Sequence, residues 1–331
     1  MTAILEATPE NIQKAADRLK SGGLVALPTE TVYGLGADAT NDRAVASIFA
    51  AKGRPSFNPV IVHFKNKNDA AQAVEFNDKA ELLASLFWPG PLTLILPRKK
   101  DANISLLCSA GLPTLAVRCP AHPVAQQLIA ALGRPIAAPS ANKSGSLSPT
   151  TPQHVLHSLG ENAGLILAGG KAAVGLESTV LDMTGEIPVL LRPGAVTVED
   201  LQQHIGKVAV ELEAVTDNPK SPGQLLRHYA PKTPLRLRAV DIKPGEALLA
   251  FGPARFMGVQ GGGAAKDLPR SAHLNLSEQG DLNEAAANLF AMLHQLDSGG
   301  FKAIAVMDIP EIGLGMAIND RLRRAAVAQN Q

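Results

Sequence analysis

Short runs of aliphatic and β-branched residues alternate along this chain with segments whose apolar residues recur at helical spacing. A helix is predicted to begin after Thr8 and to end at Gly22, and a strand follows at 24–27. The same order repeats with a helix over 42–52 and a strand over 60–64. Strands separated by helices indicate an α/β fold built on a mixed sheet. Further strands are predicted at 92–96, 114–118, 135–138, 164–168, 178–182 and 189–192, with helices near 122–132 and 152–159.

The chain is long enough for two domains, because its 331 residues exceed the roughly 100 to 200 residues of one domain. A stretch containing Pro, Gly and Ser, 206–233, is interpreted as a linker. Beyond it, apolar runs alternate with helices, at 234–239, 247–251 and 303–307 for the runs and 281–297 and 316–328 for the helices. We therefore predict a first domain over 1–205 and a smaller, doubly wound Rossmann-like α/β domain over 234–331.

The composition restricts the possible partners and compartments. Charges nearly cancel, with 31 Lys and Arg against 30 Asp and Glu, so a polyanion has to be bound by a local cluster of cations. No run reaches the roughly 18 apolar residues of a membrane-spanning helix. Residues 1–20 carry acids and helical periodicity instead of a secretory signal, so we expect a cytoplasmic protein. Two cysteines, Cys108 and Cys119, are too few for a disulfide scaffold or a four-ligand zinc site.

Three segments of the sequence resemble known functional motifs but are not assigned those functions. A GxGxxA match at 34–39 lies too far beyond the preceding strand to form the tight strand-to-helix turn of a dinucleotide site. The glycines at 258–263 are spaced like a phosphate loop, but Ala264 stands where that loop needs Lys. Cys119 and His122 could form a nucleophile and base, although burial of Cys119 as a small hydrophobic residue is the favoured interpretation.

Four cations lie at the ends of predicted elements. Lys52 and Arg54 end a helix, where positive charge complements the helix dipole, and the next strand carries the polar ring of His63. Arg118 and Arg192 each end a strand. Because open α/β sheets bind ligands at strand ends, these cations are candidates for an anion site.

Polar residues also follow or precede several strands. The small hydroxyl and amide residues of 139–148 can turn backbone N–H groups toward an anion, or can simply form a loop that caps a helix. A second polar series lies within 28–33, and a third, 177–179, begins a strand and could be a solvated strand entry.

Together these segments resemble the YrdC-like threonylcarbamoyl-AMP synthase family, in its long form with an appended C-terminal domain. The resemblance covers essentially the whole chain, and its specificity comes from the order and spacing of many short motifs. The motifs are PTETVYGLG at 28–36, KGRP at 52–55, NPVIVH at 58–63, WPGPLT at 88–93, TLAVRCPAHP at 114–123, PIAAPSAN at 135–142, ESTVLD at 177–182, LLRPG at 190–194, SPGQLLRHYAP at 221–231 and GLGMAINDRLRRAA at 313–326. The fold it implies is a YrdC-like twisted mixed sheet with helices.

The resemblance implies a nucleotidyltransferase that condenses L-threonine, bicarbonate or CO2, and ATP into threonylcarbamoyl-AMP and pyrophosphate, with Mg²⁺ accompanying ATP. Other proteins of the pathway then transfer the threonylcarbamoyl group to adenosine beside the anticodon of tRNA. We therefore expect a hand-off to that machinery, weak or absent tRNA binding, and no membrane association.

The resemblance also implies roles for individual residues. Those expected to contact ATP or the adenylate are Lys52, Arg54, Asn58, Thr114, Ser140, Asn142, Ser148, Arg192 and Tyr229. Those expected to contact threonine are Thr31, His63, Arg118, Ala138 through its backbone, and Ser178. Lys52, Arg54 and Arg192 are the expected catalytic residues. The chain departs from many relatives at 224–226, which reads Gln-Leu-Leu before HYAP, so a linker contact from these positions is not carried over.

The implied chemistry needs positioning and charge stabilisation, because a carbamate oxygen can attack the α-phosphorus without a protein nucleophile. Arg118 suits the threonine carboxylate because its planar fork can bind two oxygens. His63 is expected to hydrogen-bond the amino acid or its carbamate. Since carbamates hydrolyse readily, we predict that the 206–233 linker closes as a lid and brings Tyr229 to the nucleotide.

Two other functions fit parts of the sequence. A double-stranded RNA or tRNA binding module with the same fold is the alternative, although the near-zero net charge and the scattered cations weigh against it. A carbamoyl-transfer subdomain that uses carbamoyl phosphate would be expected to carry zinc-finger and acylphosphatase segments, which this sequence lacks.

Overall fold

The computed structural model of the protein describes residues 2–55, 58–212, 229–254 and 257–327. Within these ranges the chain forms two compact units. The first unit takes the residues up to Leu212 apart from two short loops, 145–147 and 174–176. Those loops group with residues 229–327 in the second unit.

The start of the predicted linker contains a short strand. Ala209–Val210, inside the predicted 206–233 segment, forms a strand at the edge of the first sheet, where Val189 pairs with Ala209. Two residues are enough because the strand adds to an existing edge. Residues 213–228, which include most of the predicted lid and the Gln224, Leu225 and Leu226 departure, lie outside the described residues. The division into 1–205, 206–233 and 234–331 stays a prediction.

The first unit is a mixed sheet flanked by helices. Its strands in the described ranges are β1 (Ile4–Glu6), β2 (Val25–Leu27), β3 (Gly34–Asp38), β4 (Val62–His63), β5 (Leu92–Pro97), β6 (Thr114–Arg118), β7 (Ile136–Ala137), β8 (Leu165–Ala168), β9 (Thr179–Asp182), β10 (Val189–Arg192) and β11 (Ala209–Val210). Its helices there are α1 (Pro9–Lys20), α2 (Asp42–Lys52), α3 (Lys67–Ala70), α4 (Asp78–Phe87), α5 (Leu106–Ser109), α6 (Pro123–Leu132), α7 (Pro152–Leu159) and α8 (Val198–Ile205). The strand order is β1-β8-β2-β3-β7-β4-β6-β5-β9-β10-β11, with parallel and antiparallel pairs.

Local sequence signals set the ends of the helices. The Thr8 hydroxyl accepts a hydrogen bond from the backbone N–H of Asn11 at the start of α1. Asn41 caps α2 in the same way, and Gly53 ends it in the left-handed region, with φ 60°. The helix therefore ends with Lys52 as its last residue. The apolar stripe of α1 is buried in a core cluster shared with α6, β2 and β7.

One face of the central sheet positions the site. Side chains alternate along a strand, so Thr114, Ala116 and Arg118 of β6 project from the same face. His63 of β4 is paired with Arg118 and shares that face. Between these polar groups lies a small apolar floor, which also contains Ile61, Ile95, Val180 and Leu191. The face therefore carries polar ends around an apolar centre.

The second unit is a parallel sheet with helices. Its strands in the described ranges are β12 (Leu235–Arg236), β13 (Glu246–Ala250), β14 (His273–Asn275) and β15 (Ala303–Val306), and its helices are α9 (Leu282–Asp297) and α10 (Leu314–Val327). The order is β12-β15-β13-β14, and every pair is parallel, which confirms the Rossmann-like α/β prediction. No helix in the described ranges combines the length and the apolar content needed to cross a bilayer.

The strands and helices predicted from periodicity are present, most of them with shorter ends, and β3 is one of the elements that the sequence did not predict. Glycine is depleted in strands, so GLGAD carries no strand signal. The structure gives a packing reason for Gly36. A Cβ at this position would lie 2.8 Å from Cδ2 of Leu27 and 2.9 Å from Cγ2 of Ile136. Both neighbouring strands therefore require glycine here.

Replacing Gly36 by Ala is expected to lower the free energy of unfolding by about 1 to 3 kcal/mol, because the new methyl group overpacks the sheet. Urea denaturation would measure the change. Gly185→Ala is the matched control, since the nearest heavy atom to its Cβ is the carbonyl oxygen of Ile187 at 3.6 Å. Equal stability of the two variants would contradict the packing argument.

Candidate active site

Arg118 is the centre of one polar cluster. It ends β6 and is almost fully buried, with 3% of its surface exposed. Its Nε donates to the carbonyl of Gly90 at 3.1 Å, its Nη1 to the Thr31 hydroxyl at 3.0 Å and its Nη2 to Glu30 at 2.6 Å. These three bonds fix the plane of the guanidinium. A guanidinium has five N–H donors, so two remain for another acceptor.

Glu30 is the acidic member of this cluster. Its second oxygen accepts a hydrogen bond from the backbone N–H of Ala121 at 3.1 Å. Burial alone would raise the pKa of Glu30, but the charge and hydrogen bond of Arg118 and two backbone hydrogen bonds outweigh it and lower that pKa. The carboxylate is therefore ionised at neutral pH.

His63 lies in the same region of the sheet as a neutral ring. It is buried, and its Nδ1 has no hydrogen-bond partner among the described residues. Burial, and then the charge of Arg118, lower its pKa to about 3. A buried ring nitrogen without a partner is costly, and a ligand atom that bonded to it would remove that cost.

Ser178 and Arg192 form a neighbouring cluster. Ser178 directly precedes β9, and its hydroxyl shares a 2.7 Å hydrogen bond with the hydroxyl of Thr93. Arg192, at the end of β10, donates to the carbonyl and to the hydroxyl of Ser178, each at 3.0 Å. Thr93 lies one residue beyond the Leu94–Val117 pair and hence beside Arg118. The two clusters therefore adjoin along the sheet.

Lys52 is a buried cation at the end of α2. Its ammonium donates to the carbonyl oxygens of Ser140 at 2.6 Å and Asn142 at 2.5 Å. Burial, and then the charge of Arg54, lower its pKa well below the usual value. The main-chain loop after β7 is thus tied to the end of α2.

Arg54 and Asn58 lie next along the chain. The Arg54 guanidinium donates to the carbonyl oxygens of Asn58 at 3.3 Å and Pro59 at 2.9 Å. The amide of Asn58 is fully buried, and neither its oxygen nor its nitrogen has a partner among the described residues. A primary amide left in this way has the donor and the acceptor that a nucleotide could use.

The remaining predicted residues fall at several positions. Thr114 begins β6, half-buried, on the face that carries Arg118. Ala138 follows β7 and donates its N–H to the carbonyl of Ile61 at 2.9 Å, beside the apolar floor. The buried Ser148 hydroxyl donates to Glu177. Tyr229 lies in the second unit, buried, with φ 65°, and its ring packs on Phe290 and under the guanidinium of Arg321.

Sequence reasoning missed three side chains of the site. Glu30 and Glu177 were noted as parts of polar segments without a role, and Thr93 was not singled out. The available signal for Thr93 was a polar residue within the otherwise apolar strand 92–97. The rejected nucleophile pair stays rejected. Burial raises the pKa of Cys119 to about 12, and His122 instead accepts a hydrogen bond from the N–H of Val124 as the cap of α6.

The described donors do not fit a resident metal ion. Among the described residues, no group of three or more His, Cys, Asp or Glu side chains could hold one. The two acids near the site have protein partners, Arg118 for Glu30 and Ser148 for Glu177. Mg²⁺ is therefore treated below only as the companion of ATP, a substrate.

Known protein families match nearly the whole chain. A family model described as "Telomere recombination" matches residues 17–194, and a second, described as "Threonylcarbamoyl-AMP synthase, C-terminal domain", matches residues 196–327. The threonylcarbamoyl-AMP synthase of Pyrococcus abyssi is 41% identical over 326 residues, covering 95% of this chain and 94% of the relative. That of Bacillus subtilis is also 41% identical, covering 98% and 96%.

Solved structures of the same family also match the chain. The crystal structure of P. abyssi Sua5 complexed with L-threonine matches with a TM-score of 0.87 and 36% identity, covering 99% of this chain and 98% of that one. Escherichia coli YciO, at 24% identity and a TM-score of 0.55 over 61% of this chain, shows the shared fold alone. The first unit thus has the YrdC-like fold, and the chain belongs to the threonylcarbamoyl-AMP synthase family in its long form.

Proposed function

We propose that the protein is a nucleotidyltransferase that forms threonylcarbamoyl-AMP and pyrophosphate from L-threonine, bicarbonate or CO2, and ATP. The observation that carries the proposal is the pair of unused N–H donors on Arg118, beside Thr31 and His63 and next to a second group of buried cations. The similarity of the whole chain to threonylcarbamoyl-AMP synthases, one of them solved with L-threonine, supports it.

The Arg118 cluster is the proposed amino-acid subsite. Two N–H groups in a planar fork match the two oxygens of a carboxylate. The hydroxyl oxygens of Thr31 and Ser178, each already bonded to an Arg, and Nδ1 of His63, which has no partner among the described residues, are proposed to meet the other polar atoms of threonine. Ala138 is proposed to contact threonine through its backbone.

The Lys52 end is the proposed nucleotide subsite. Lys52 is held by two neutral carbonyl oxygens and lies beside Arg54, so an anion entering here relieves the repulsion between the two cations. The amide of Asn58, which has no partner among the residues that the structure describes, supplies a further donor and acceptor. The other residues proposed to contact ATP or the adenylate are Thr114, Ser140, Asn142, Ser148, Arg192 and Tyr229.

The reaction follows from the two subsites. A threonine carbamate oxygen attacks the α-phosphorus of ATP, and the bond to the pyrophosphate leaving group breaks. Alignment of the two reactants is the largest contribution expected of the protein, about 7 to 11 kcal/mol in well-oriented systems. Lys52, Arg54 and Arg192 stabilise the charge on the phosphate oxygens. Mg²⁺ enters with ATP, since phosphate oxygens and water are its usual ligands.

The product is proposed to pass to the enzymes that modify adenosine in tRNA. We assign this chemistry to the cytoplasm, a proposal with which the two buried, free thiols Cys108 and Cys119 are consistent. The competing function, an RNA-binding module, is less well supported. The cations of the site are buried, whereas phosphate-backbone binding relies on accessible Lys and Arg.

The activity can be tested without tRNA. Pyrophosphate release from MgATP is expected only when L-threonine and bicarbonate are both present, and mass spectrometry is expected to detect threonylcarbamoyl-AMP. Omission of either substrate is the control. Salt-dependent RNA binding without pyrophosphate release would favour the RNA-binding module instead.

Replacing Arg54 by Ala is expected to lower turnover by about a hundredfold or more, because it removes a charge next to the phosphates. Steady-state pyrophosphate release would measure this loss. Arg323→Ala, which removes a half-exposed Arg paired with Glu311 in the second unit, is the matched control. Near-normal turnover by a folded Arg54→Ala protein would exclude Arg54 from the nucleotide subsite.

His63 makes stability depend on pH. Its pKa is about 3 in the folded protein against about 6.5 in an unfolded chain, so only the unfolded state binds this proton between those values. Stability is therefore unaffected by His63 above about pH 6.5 and falls as the pH drops toward 3, by up to about 1.4 kcal/mol per pH unit.

We expect the His63→Asn variant to lose less stability than wild type between pH 6.5 and pH 4, as measured by urea denaturation. The control is His157→Gln, which removes an exposed histidine from the last turn of α7 and should keep the wild-type slope. Parallel stability curves for wild type and His63→Asn would disprove the assignment of a neutral His63.

A further inference from the structure

Glu30 is the acidic side chain that is paired with Arg118 in the proposed carboxylate subsite. One oxygen accepts from Nη2 of Arg118 at 2.6 Å, and the other accepts from the N–H of Ala121 at 3.1 Å. Each carboxylate oxygen has two lone pairs, so both can accept another hydrogen bond. The Glu30 side chain is 13% exposed against 3% for Arg118, so Glu30 is the less buried member of the pair.

The ion pair of Arg118 and Glu30 carries one positive and one negative charge, as an amino acid does. Arg118 alone would offer a positive charge that suits any carboxylate. With Glu30 attached, the pair is neutral overall and presents one positive and one negative group side by side. In an amino acid the ammonium nitrogen is only two bonds from the carboxylate carbon. A carboxylate bound by the two unused N–H groups of Arg118 therefore brings its ammonium close to Glu30.

Glu30 differs from the other oxygen atoms proposed to meet threonine. Thr31, Ser178 and the carbonyl of Ala138 can accept a hydrogen bond, but they are neutral and accept from hydroxyl groups and ammonium groups alike. A carboxylate favours the ammonium by charge as well as by hydrogen bonding. Because its pKa is lowered, Glu30 keeps that charge at neutral pH and does not take the proton of the ammonium.

We propose that Glu30 is a specificity-determining residue, which binds the α-ammonium group of the amino-acid substrate while its ion pair with Arg118 orients the guanidinium for the carboxylate. The proposal rests on the function proposed above. It predicts that the enzyme distinguishes threonine from a hydroxy acid of the same shape through one charge.

Calorimetric titration of the full chain with two ligands tests this idea. L-Threonine carries the ammonium, whereas 3-hydroxybutyrate has the same carboxylate and hydroxyl with hydrogen in its place. Wild type is expected to bind threonine at least tenfold more tightly. Glu30→Gln is expected to lose about tenfold to a hundredfold in threonine affinity and to bind 3-hydroxybutyrate as well as wild type or better.

A purely structural role for Glu30 would give a different result. If the carboxylate only orients Arg118, Glu30→Gln should weaken both ligands by the same factor, which would overturn the proposal. Unchanged binding of threonine by this variant would overturn it as well. Glu246→Gln is the matched control, because Glu246 also accepts hydrogen bonds from an Arg and a backbone N–H but lies in the second unit. It should leave both affinities unchanged.

A second variant covers the case in which Glu30→Gln does not fold. Glu30→Asp keeps the charge on a shorter side chain, and its ratio of threonine affinity to 3-hydroxybutyrate affinity should stay within about threefold of wild type. A collapse of that ratio in a folded Glu30→Asp protein would show that charge is not the determinant. Failure of wild type to bind threonine at all would instead count against the proposed function.

Discussion

The site depends on positive charge that is buried in the sheet and held by neutral oxygen atoms. A buried ammonium is costly unless hydrogen bonds replace its water. Lys52 obtains them from the carbonyl oxygens of Ser140 and Asn142, which join the end of α2 to the loop after β7. These partners accept hydrogen bonds from two of the three ammonium N–H groups but carry no negative charge to compensate the lysine. The same interaction therefore stabilises the loop and attracts an anion, and the nearby Arg54 strengthens both the attraction and the cost of leaving the site empty.

The two ends of the site use different electrostatic arrangements. At the nucleotide end, Lys52 is bonded to carbonyl oxygens, which suits a substrate with several negative charges. At the amino-acid end, Arg118 is paired with the carboxylate of Glu30, which suits a substrate with no net charge. The sheet holds these ends apart across an apolar floor. Under the proposed function, a carbamate formed at the amino-acid end would attack a phosphate bound at the nucleotide end.

Much of this arrangement could be predicted from the sequence, and the reasons for the rest are physical. Periodicity and capping predicted α2 and β6 with the ends that the structure shows. The positions of Arg118 and Arg192 at the ends of strands indicated that both could belong to a site. Local patterns could not indicate β3, because close packing against two strands requires glycine at Gly36 and glycine carries no strand signal. The bond between Glu30 and Arg118 joins residues 88 positions apart, and no single-sequence pattern identifies such a partner.

The long sequence separations between residues of the site also affect when the site can form during protein synthesis. Thr31 bonds to Arg118 87 positions later, Thr93 to Ser178 85 positions later, and Arg192 completes the cluster only at the end of β10. A ribosome adding about 5 to 20 residues per second needs on the order of ten seconds to extend the chain from the first of these residues to the last. During that interval the emerging polypeptide carries the side chains of an incomplete pocket. Substrate therefore cannot assist the early collapse of this unit, because its pocket is complete only once β10 has been added to the sheet.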